Sequence, residues 1–219
     1  MSAVESFTNQ TPDQPAVRGF LHRPDGDATA ALVLTHGAGS NCRAPLLVAI
    51  AEAFAAGGMA VLCCDLPFRQ SRPHGPPFGN GAQDRAGLRR AVEVLREIVP
   101  NRTFLGGHSY GGRQASMLAA EDPAVAHGLL LLSYPLHPPD KPQQLRTAHF
   151  PKLQTRALFV HGCRDPFGSL EEVQSARGLI PAPTELLHIE GAGHDLGRRS
   201  YDALAGKVLA AFLKLVNQT

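Results

Sequence analysis

The sequence predicts an α/β fold in which one mostly parallel sheet carries helices on both faces. Short apolar segments alternate along the chain with helical segments, the pattern of strands joined by helical crossovers. The apolar segments are continuous rather than interrupted by polar residues, which is typical of parallel strands buried on both sides. A chain of 219 residues is long enough for one well-buried core, so we expect residues 1–219 to form a single domain.

The first part of the chain contains three predicted strands. Residues 16–23 predict an early strand that could run antiparallel to the others, and residues 31–35 predict the first strand of the buried parallel set. A helix is predicted over residues 45–56, where two glycines then stop it. The next buried strand covers residues 60–66. Residues 67–83 are rich in proline, glycine and arginine and predict a long loop.

The rest of the chain repeats the alternation of strands and helices. An amphipathic helix is predicted over residues 84–98, because its apolar side chains fall on one stripe. Residues 135–154 predict a second proline-rich loop, and no cap domain is inserted there. The remaining elements are a strand leading into residues 103–112, strands at 128–134, 157–162 and 185–189, and helices at 169–178 and 199–216.

Composition excludes several function classes. The formal net charge is +2 and lysines and arginines form no run, so binding to nucleic acid is not expected. The first residues lack a basic and then apolar leader, and no apolar run is long enough to span a bilayer. We therefore expect a cytoplasmic protein with a small-molecule substrate and no membrane partner. Composition says nothing about its oligomeric state.

The four cysteines are predicted to be buried free thiols. Cys42, Cys63, Cys64 and Cys163 form no Cys-x-x-Cys motif and have no histidine at zinc-finger spacing. Cys63 and Cys64 are neighbours on one strand, so their side chains should point to opposite faces of the sheet.

The most informative segment is Gly-His-Ser-Tyr-Gly at residues 107–111. It follows an apolar strand and precedes a helix of small residues, the context in which Gly-x-Ser-x-Gly forms a nucleophile elbow. A serine hydroxyl is a weak nucleophile until a base removes its proton and the backbone exposes it. Gly107 and Gly111 lack the Cβ atoms that would collide in so sharp a turn. Ser109 is therefore the predicted nucleophile.

Two downstream segments supply a candidate acid and base. Asp165 follows a strand that ends in His-Gly, and His194 lies in the glycine-rich loop after the next strand. His194 would act as general base and Asp165 would orient its imidazole. Glu190, at the end of the strand before His194, is an alternative acid. Asp195 is a less suitable one, because side chains adjacent in sequence seldom face each other.

These marks together resemble an α/β-hydrolase, most closely the small, capless, dienelactone-hydrolase-like branch. The resemblance extends from about Gly19 to the C-terminus. It rests on the order Ser109, Asp165, His194, on His-Gly-Ala-Gly at residues 36–39 and on His-Gly-x-x-Asp-Pro at residues 161–166. Dienelactone hydrolase itself is expected to carry a cysteine at the elbow, where this chain has serine.

The resemblance implies an oxyanion hole formed by two backbone N–H groups. One belongs to the residue after the nucleophile, Tyr110, and the other to the loop after the first parallel strand. Position assigns the second N–H to Ala38, with Gly39 as the alternative. The resemblance therefore implies a serine hydrolase that acts on an ester, thioester or lactone. One alternative is a non-catalytic binding or scaffold protein that kept the fold, and another is an α/β-hydrolase-type lyase or cofactor-free haloperoxidase.

No metal or cofactor is predicted. His36, His108 and His161 border the candidate site, but none has a recognisable metal-ligand spacing, so they should hydrogen-bond to neighbouring loops. His137 either lines the pocket or has a structural role. Arg69 and Arg72 could contact an anionic substrate, although solvated loop charge is the preferred interpretation.

Overall fold

The structure, a computed structural model, describes residues 3–197 and 201–218. The strands are β1 (Ala3–Asn9), β2 (Val17–Arg23), β3 (Ala30–Thr35), β4 (Met59–Cys64), β5 (Arg102–His108), β6 (Leu129–Leu132), β7 (Ala157–Gly162) and β8 (Thr184–Ile189). The helices are α1 (Pro45–Ala56), α2 (Pro67–Ser71), α3 (Ala82–Ile98), α4 (Tyr110–Glu121), α5 (Leu170–Arg177) and α6 (Asp202–Val216).

The strands form one sheet in the order β1-β2-β4-β3-β5-β6-β7-β8. The strands from β3 to β8 are parallel to their neighbours, and β2 is antiparallel to both β1 and β4. The predicted parallel sheet and its antiparallel early strand are confirmed. The carboxyl ends of the parallel strands share one edge, which is where open α/β sheets place their functional groups.

Helices cover both faces of the sheet, as the continuous apolar strands require. The apolar side chains of α1 and α6 pack against one face, together with Phe104 of β5. Those of α3, α4 and α5 pack against the other face, together with Leu105 of the same strand. Successive residues of β5 therefore serve two different cores. Between β6 and β7 the chain forms loops and one 3-10 turn, Phe150–Lys152, and it contains no cap domain.

Five elements differ from the prediction by more than one residue. The strand predicted over residues 60–66 ends two residues early, at Cys64. The edge strand β1 was not predicted, because most of its side chains are exposed and it lacks an apolar run. The predicted loop at residues 67–83 contains α2, and α3 begins two residues early, at Ala82. The strand predicted to reach residue 134 ends at Leu132, because Ser133 has a φ of 48°. The start of the terminal helix predicted at residue 199 lies outside the described residues.

The cysteine prediction is correct for three of the four thiols. Cys42, Cys63 and Cys64 are buried, whereas Cys163 follows β7 in a loop and is partly exposed. Cys63 and Cys64 pack into opposite cores, as their alternation along β4 predicts. Burial raises the pKa of the Cys42 thiol to about 12, so this group stays protonated at neutral pH. No helix among the described residues combines the length and the apolar character of a membrane span.

Candidate active site

Ser109 occupies a strained turn between β5 and α4. Its φ of 51° and ψ of −116° lie outside the conformations that most residues adopt. Its N–H donates to the Leu132 carbonyl at 2.8 Å, and its carbonyl begins α4 by accepting from the Arg113 N–H at 3.0 Å. Both sides of the turn are thus tied to regular structure, which leaves the Ser109 side chain beyond the end of the strand.

Gly107 and Gly111 are required by the close packing of this turn. A Cβ on Gly107 would lie 2.8 Å from the Thr35 carbonyl oxygen, and one on Gly111 would lie 2.6 Å from the His36 carbonyl oxygen. Separations below 3.0 Å do not occur for real Cβ atoms. The elbow is therefore packed backbone against backbone on the end of β3.

His194 joins Ser109 to Asp165. Its Nε2 atom lies 2.8 Å from Ser109 Oγ, and its Nδ1 atom lies 2.8 Å and 3.0 Å from the two Asp165 carboxylate oxygens. A carboxylate accepts hydrogen bonds, so we assign the ring proton to Nδ1 and leave Nε2 free to accept the serine proton. The residues are far apart in sequence, and three separate loops bring them together.

Among the described residues, the structure gives no contact between His194 Nδ1 and either competing acid. Glu190 has a strongly exposed side chain, 3.7 Å from His188 Nε2. Asp195 follows His194, and its backbone carbonyl accepts a hydrogen bond from the Tyr201 hydroxyl. The His194 Nδ1 contacts given by the structure are to Asp165, whose side chain is fully buried.

Local contacts hold Asp165 and His194 in place. The Phe167 N–H donates to Asp165 Oδ1 at 2.9 Å, and the Phe167 ring stacks on the His194 imidazole with centroids 4.2 Å apart. At the end of β7, a Cβ on Gly162 would lie 2.4 Å from the Gly193 carbonyl oxygen. A glycine at this position lets the His194 loop lie directly against the strand.

His108, adjacent to Ser109, is a second support for His194. Its Nε2 atom lies 2.9 Å from the His194 carbonyl oxygen, so it carries a proton and donates to it. Burial lowers the pKa of His108, which favours the neutral ring. Its Nδ1 atom faces Gly37, where a Cβ would lie 3.1 Å away. His108 is therefore wedged between the His194 loop and the loop after β3.

The loop after β3 presents backbone N–H groups near Ser109. A Cβ on Gly37 would lie 3.4 Å from the Ser109 Cβ, so this loop runs beside the nucleophile. Within the described part of the chain, the N–H groups of Ala38, Gly39 and Tyr110 donate no hydrogen bond. These are the residues whose N–H groups the sequence predicts for the oxyanion hole, with Ala38 and Gly39 as the two candidates from this loop.

His36 shapes the start of this loop. Its Nε2 atom accepts from the Leu66 N–H at 3.1 Å, so its Nδ1–H donates to the Gly37 carbonyl at 2.8 Å. The Gly37 carbonyl also accepts from the Ser40 N–H. In a planar trans peptide the N–H points opposite to the carbonyl, so the Ala38 N–H points away from this turn. Burial lowers the pKa of His36, which keeps its ring neutral.

His161 forms a structural hydrogen bond, as expected. His161 Nε2 lies 2.8 Å from the Gly168 carbonyl oxygen and holds the Asp165 loop closed. His137 is buried, and its two ring nitrogens contact the Pro138 carbonyl and the Glu172 carboxylate, which supports its structural interpretation. In residues 3–197 and 201–218, no group of three or more potential ligand side chains could hold a metal ion.

The preferred interpretation of Arg69 was wrong. Its side chain is buried rather than solvated, and it donates to carbonyl oxygens of two loops. Sequence patterns give no sign of this arrangement, because the acceptors are backbone atoms whose positions depend on the fold. Arg72 is exposed, and its guanidinium lies over the Phe78 ring.

The fold and the sequence place this chain among the α/β hydrolases. The family model of the alpha/beta hydrolase domain matches residues 28–216, and the chain belongs to that family. In fold it is dienelactone-hydrolase-like.

Three solved structures illustrate the similarity. A dienelactone hydrolase from Anabaena variabilis is 21% identical with a TM-score of 0.79, and 98% of each chain is covered. An α/β serine hydrolase without lid from Xanthomonas campestris is 17% identical with a TM-score of 0.71, and covers 100% of this chain and 96% of its own. A Pyrococcus furiosus esterase is 18% identical with a TM-score of 0.75, and the match covers 97% of this chain and 91% of the esterase chain.

Proposed function

We propose that this protein is a serine hydrolase that cleaves a small ester, thioester or lactone through an acyl-enzyme on Ser109. The observation that carries the proposal is the hydrogen-bonded line from Ser109 Oγ through His194 to the buried Asp165 carboxylate, with distances of 2.8 Å on both sides of the imidazole. Esterase and dienelactone hydrolase are names of structural neighbours, and they support the same class of substrate.

The proposed reaction has two steps. His194 Nε2 takes the Ser109 proton while Oγ attacks the carbonyl carbon, and Asp165 stabilises the imidazolium that forms. The tetrahedral oxyanion is stabilised by the N–H of Tyr110 and that of Ala38 or Gly39. Collapse expels the leaving group, which takes the proton from His194. Water then attacks the acyl-enzyme with His194 again as the base, and the acid and free Ser109 are released.

A rapid-mixing experiment with p-nitrophenyl acetate tests the proposal. The wild-type protein should release a burst of nitrophenolate close to one equivalent per chain, or a linear phase if acylation limits turnover. In either case S109A and H194A should lose at least about 10³-fold in kcat. Hydrolysis that persists in S109A would refute the proposed nucleophile. A wild-type protein inert toward acetyl esters, thioesters and lactones would favour the non-catalytic alternative.

A further inference from the structure

Arg69 is a buried cation in α2 whose hydrogen bonds join two loops. Its side chain is 7% exposed. The Nε atom donates to the Ser40 carbonyl at 2.8 Å, and Nη2 donates to the Ala38 carbonyl at 2.6 Å. The remaining hydrogen bonds reach the loop after α2, at the carbonyls of Arg72, Pro73 and Gly75.

These contacts use the whole hydrogen-bonding capacity of the side chain. A guanidinium has five N–H donors and no acceptor. Arg69 has five hydrogen bonds, one from Nε and two from each terminal nitrogen, all to backbone carbonyl oxygens. No donor is left to bind a substrate anion. The geometry therefore points away from recognition of the substrate by Arg69.

The hydrogen bond to Ala38 fixes a peptide plane in the loop that passes Ser109 at Gly37. The Ala38 carbonyl and the Gly39 N–H belong to one planar trans peptide, so they point in opposite directions. Because Arg69 binds the carbonyl, the Gly39 N–H points away from the guanidinium. The peptide before it is held by His36 and Ser40 through the Gly37 carbonyl. The directions of the Ala38 and Gly39 N–H groups are thus fixed by hydrogen bonds to the carbonyl on the opposite side of each peptide.

We propose that Arg69 is a positioning residue that holds the oxyanion loop, residues 37–41, in the orientation needed to stabilise the tetrahedral intermediate. This inference rests on the proposed function. The guanidinium acts through the Ala38–Gly39 peptide and does not contact the substrate. Its positive charge also polarises that peptide, because a hydrogen bond to a carbonyl strengthens the N–H on the other side of the peptide as a donor.

Such a role has a particular kinetic signature. The N–H groups bind an oxygen whose negative charge develops only in the transition state, so their misplacement lowers kcat more than it raises KM. An arginine that bound substrate directly would act in the ground state as well, and its loss would raise KM.

The test compares R69M with R72M on acetyl and butyryl esters. Met keeps much of the length of Arg but donates no hydrogen bond. We expect R69M to lose about 10- to 100-fold in kcat with KM within about threefold of wild type, since removing one oxyanion donor outright costs about 10²- to 10³-fold. Arg72 directly follows α2 and is exposed, and its side chain donates a hydrogen bond to the Pro76 backbone carbonyl, so R72M should retain wild-type kcat and KM.

R69K provides a second variant should R69M fail to fold. Lysine keeps the charge but replaces the planar fork with donors on a single nitrogen, which cannot reach both loops at once. We expect R69K to fold and to lose kcat, by less than R69M. A KM raised tenfold or more with unchanged kcat in either variant would show that Arg69 binds the substrate. Unchanged kcat and KM in both variants would also overturn the proposal.

Hydrogen–deuterium exchange separates this proposal from the proposed function, because it does not require activity. The hydrogen-bonded backbone amides of Ser40 and Arg72, one in each of the two loops, should exchange at least about tenfold faster in R69M or R69K than in wild type, with α6 unchanged. Equal exchange at these two amides would refute the positioning role even in an active enzyme. Faster exchange in a protein that hydrolyses no ester would support the loop contacts while contradicting the proposed function.

Discussion

The side chains proposed to act in catalysis are held in place by contacts within the protein that do not depend on a bound substrate. Asp165 is oriented by the Phe167 N–H, and His194 is held by Asp165, by the Phe167 ring and by the His108 donor to its carbonyl. Such contacts reduce the reorganisation needed when charge develops at the imidazole. The sequence predicted Ser109, Asp165 and His194 because each follows a strand end. It did not predict the roles of Phe167 and Arg69, which depend on which loops meet in the fold.

D165N tests the orienting role of the buried acid. The amide keeps the size of the carboxyl group but replaces one acceptor oxygen with an NH2 donor. Such a donor facing His194 Nδ1 stabilises the tautomer with its proton on Nε2, which cannot accept the Ser109 proton. We expect kcat to fall by about 10³- to 10⁴-fold, with the free energy of unfolding reduced by no more than about 2 kcal/mol. Steady-state kinetics and urea unfolding measure both quantities.

D195N is the matched control, because Asp195 is the acid next to His194 in sequence. It should retain kcat within about threefold of wild type. A large loss in D195N together with a small one in D165N would show that the wrong acid has been assigned.

At the level of secondary structure, the elbow and the terminal helix each contain a glycine, and the two differ in whether a Cβ would fit. Gly107 has backbone atoms of β3 and α4 at distances that exclude a Cβ. Gly206 lies in α6 and is exposed, and a Cβ at this position would have no atom within 4 Å. The strand-then-helix pattern around Gly107 could be predicted from local sequence. β1 could not be predicted from local sequence, because an edge strand needs only a neighbouring strand to pair with and not an apolar run.

G107A and G206A should change stability in opposite directions. A methyl at Gly107 must displace backbone, and we expect it to lower the free energy of unfolding by at least about 2 kcal/mol. A methyl at Gly206 meets nothing and restricts the unfolded chain, so we expect a gain of about 0.5–1 kcal/mol. Urea unfolding of both variants tests this. A G107A protein as stable as wild type would mean that the elbow can open without cost.

At the scale of the whole molecule, burial or partial burial disfavours the charged form of several histidines. Burial is the largest cause of the lowered pKa of His22, His36, His108 and His149. For His149 the pKa falls to about 4, and the Arg113 and Arg85 charges add to the effect of burial. The Ser116 hydroxyl donates to the Arg113 carbonyl and accepts from His149 Nε2 at 2.8 Å. The fold therefore favours the uncharged ring.

This predicts a loss of stability in mild acid. Below pH 6.5 the unfolded chain binds a proton at His149 that the folded chain does not bind until about pH 4. The free energy of unfolding should fall as the pH is lowered across that window. In H149Q this free energy should fall by about 2 kcal/mol less than in wild type. Urea titrations at pH 7, 5.5 and 4 measure the difference, with H188Q as a control at an exposed histidine. Equal losses in H149Q and wild type would contradict the prediction.

The absence of a cap between β6 and β7 also bears on the substrate. A concavity of about 530 Å³ lies between the oxyanion loop and residues Pro73 to Pro76 and is open to solvent, but Ser109 and His194 do not line it, so it does not enclose an acyl chain at the nucleophile. A long acyl chain gains about 0.8 kcal/mol for each methylene buried, but an open site buries few of them. We expect higher kcat/KM for acetate and butyrate esters than for octanoate and longer esters. A steady rise in kcat/KM from butyrate to laurate would show that the loops enclose a deep acyl tunnel.

The central claim, that Ser109 is an activated nucleophile, is tested most directly by labelling with a fluorophosphonate. The wild-type protein should be phosphonylated at one site, which peptide mass spectrometry should locate at Ser109, because the reagent reacts with a serine only when a base and oxyanion donors assist it. S109A should remain unlabelled, and H194A should label far more slowly. Labelling of S109A to the wild-type extent, or no labelling of wild type while a control serine hydrolase reacts, would contradict the claim.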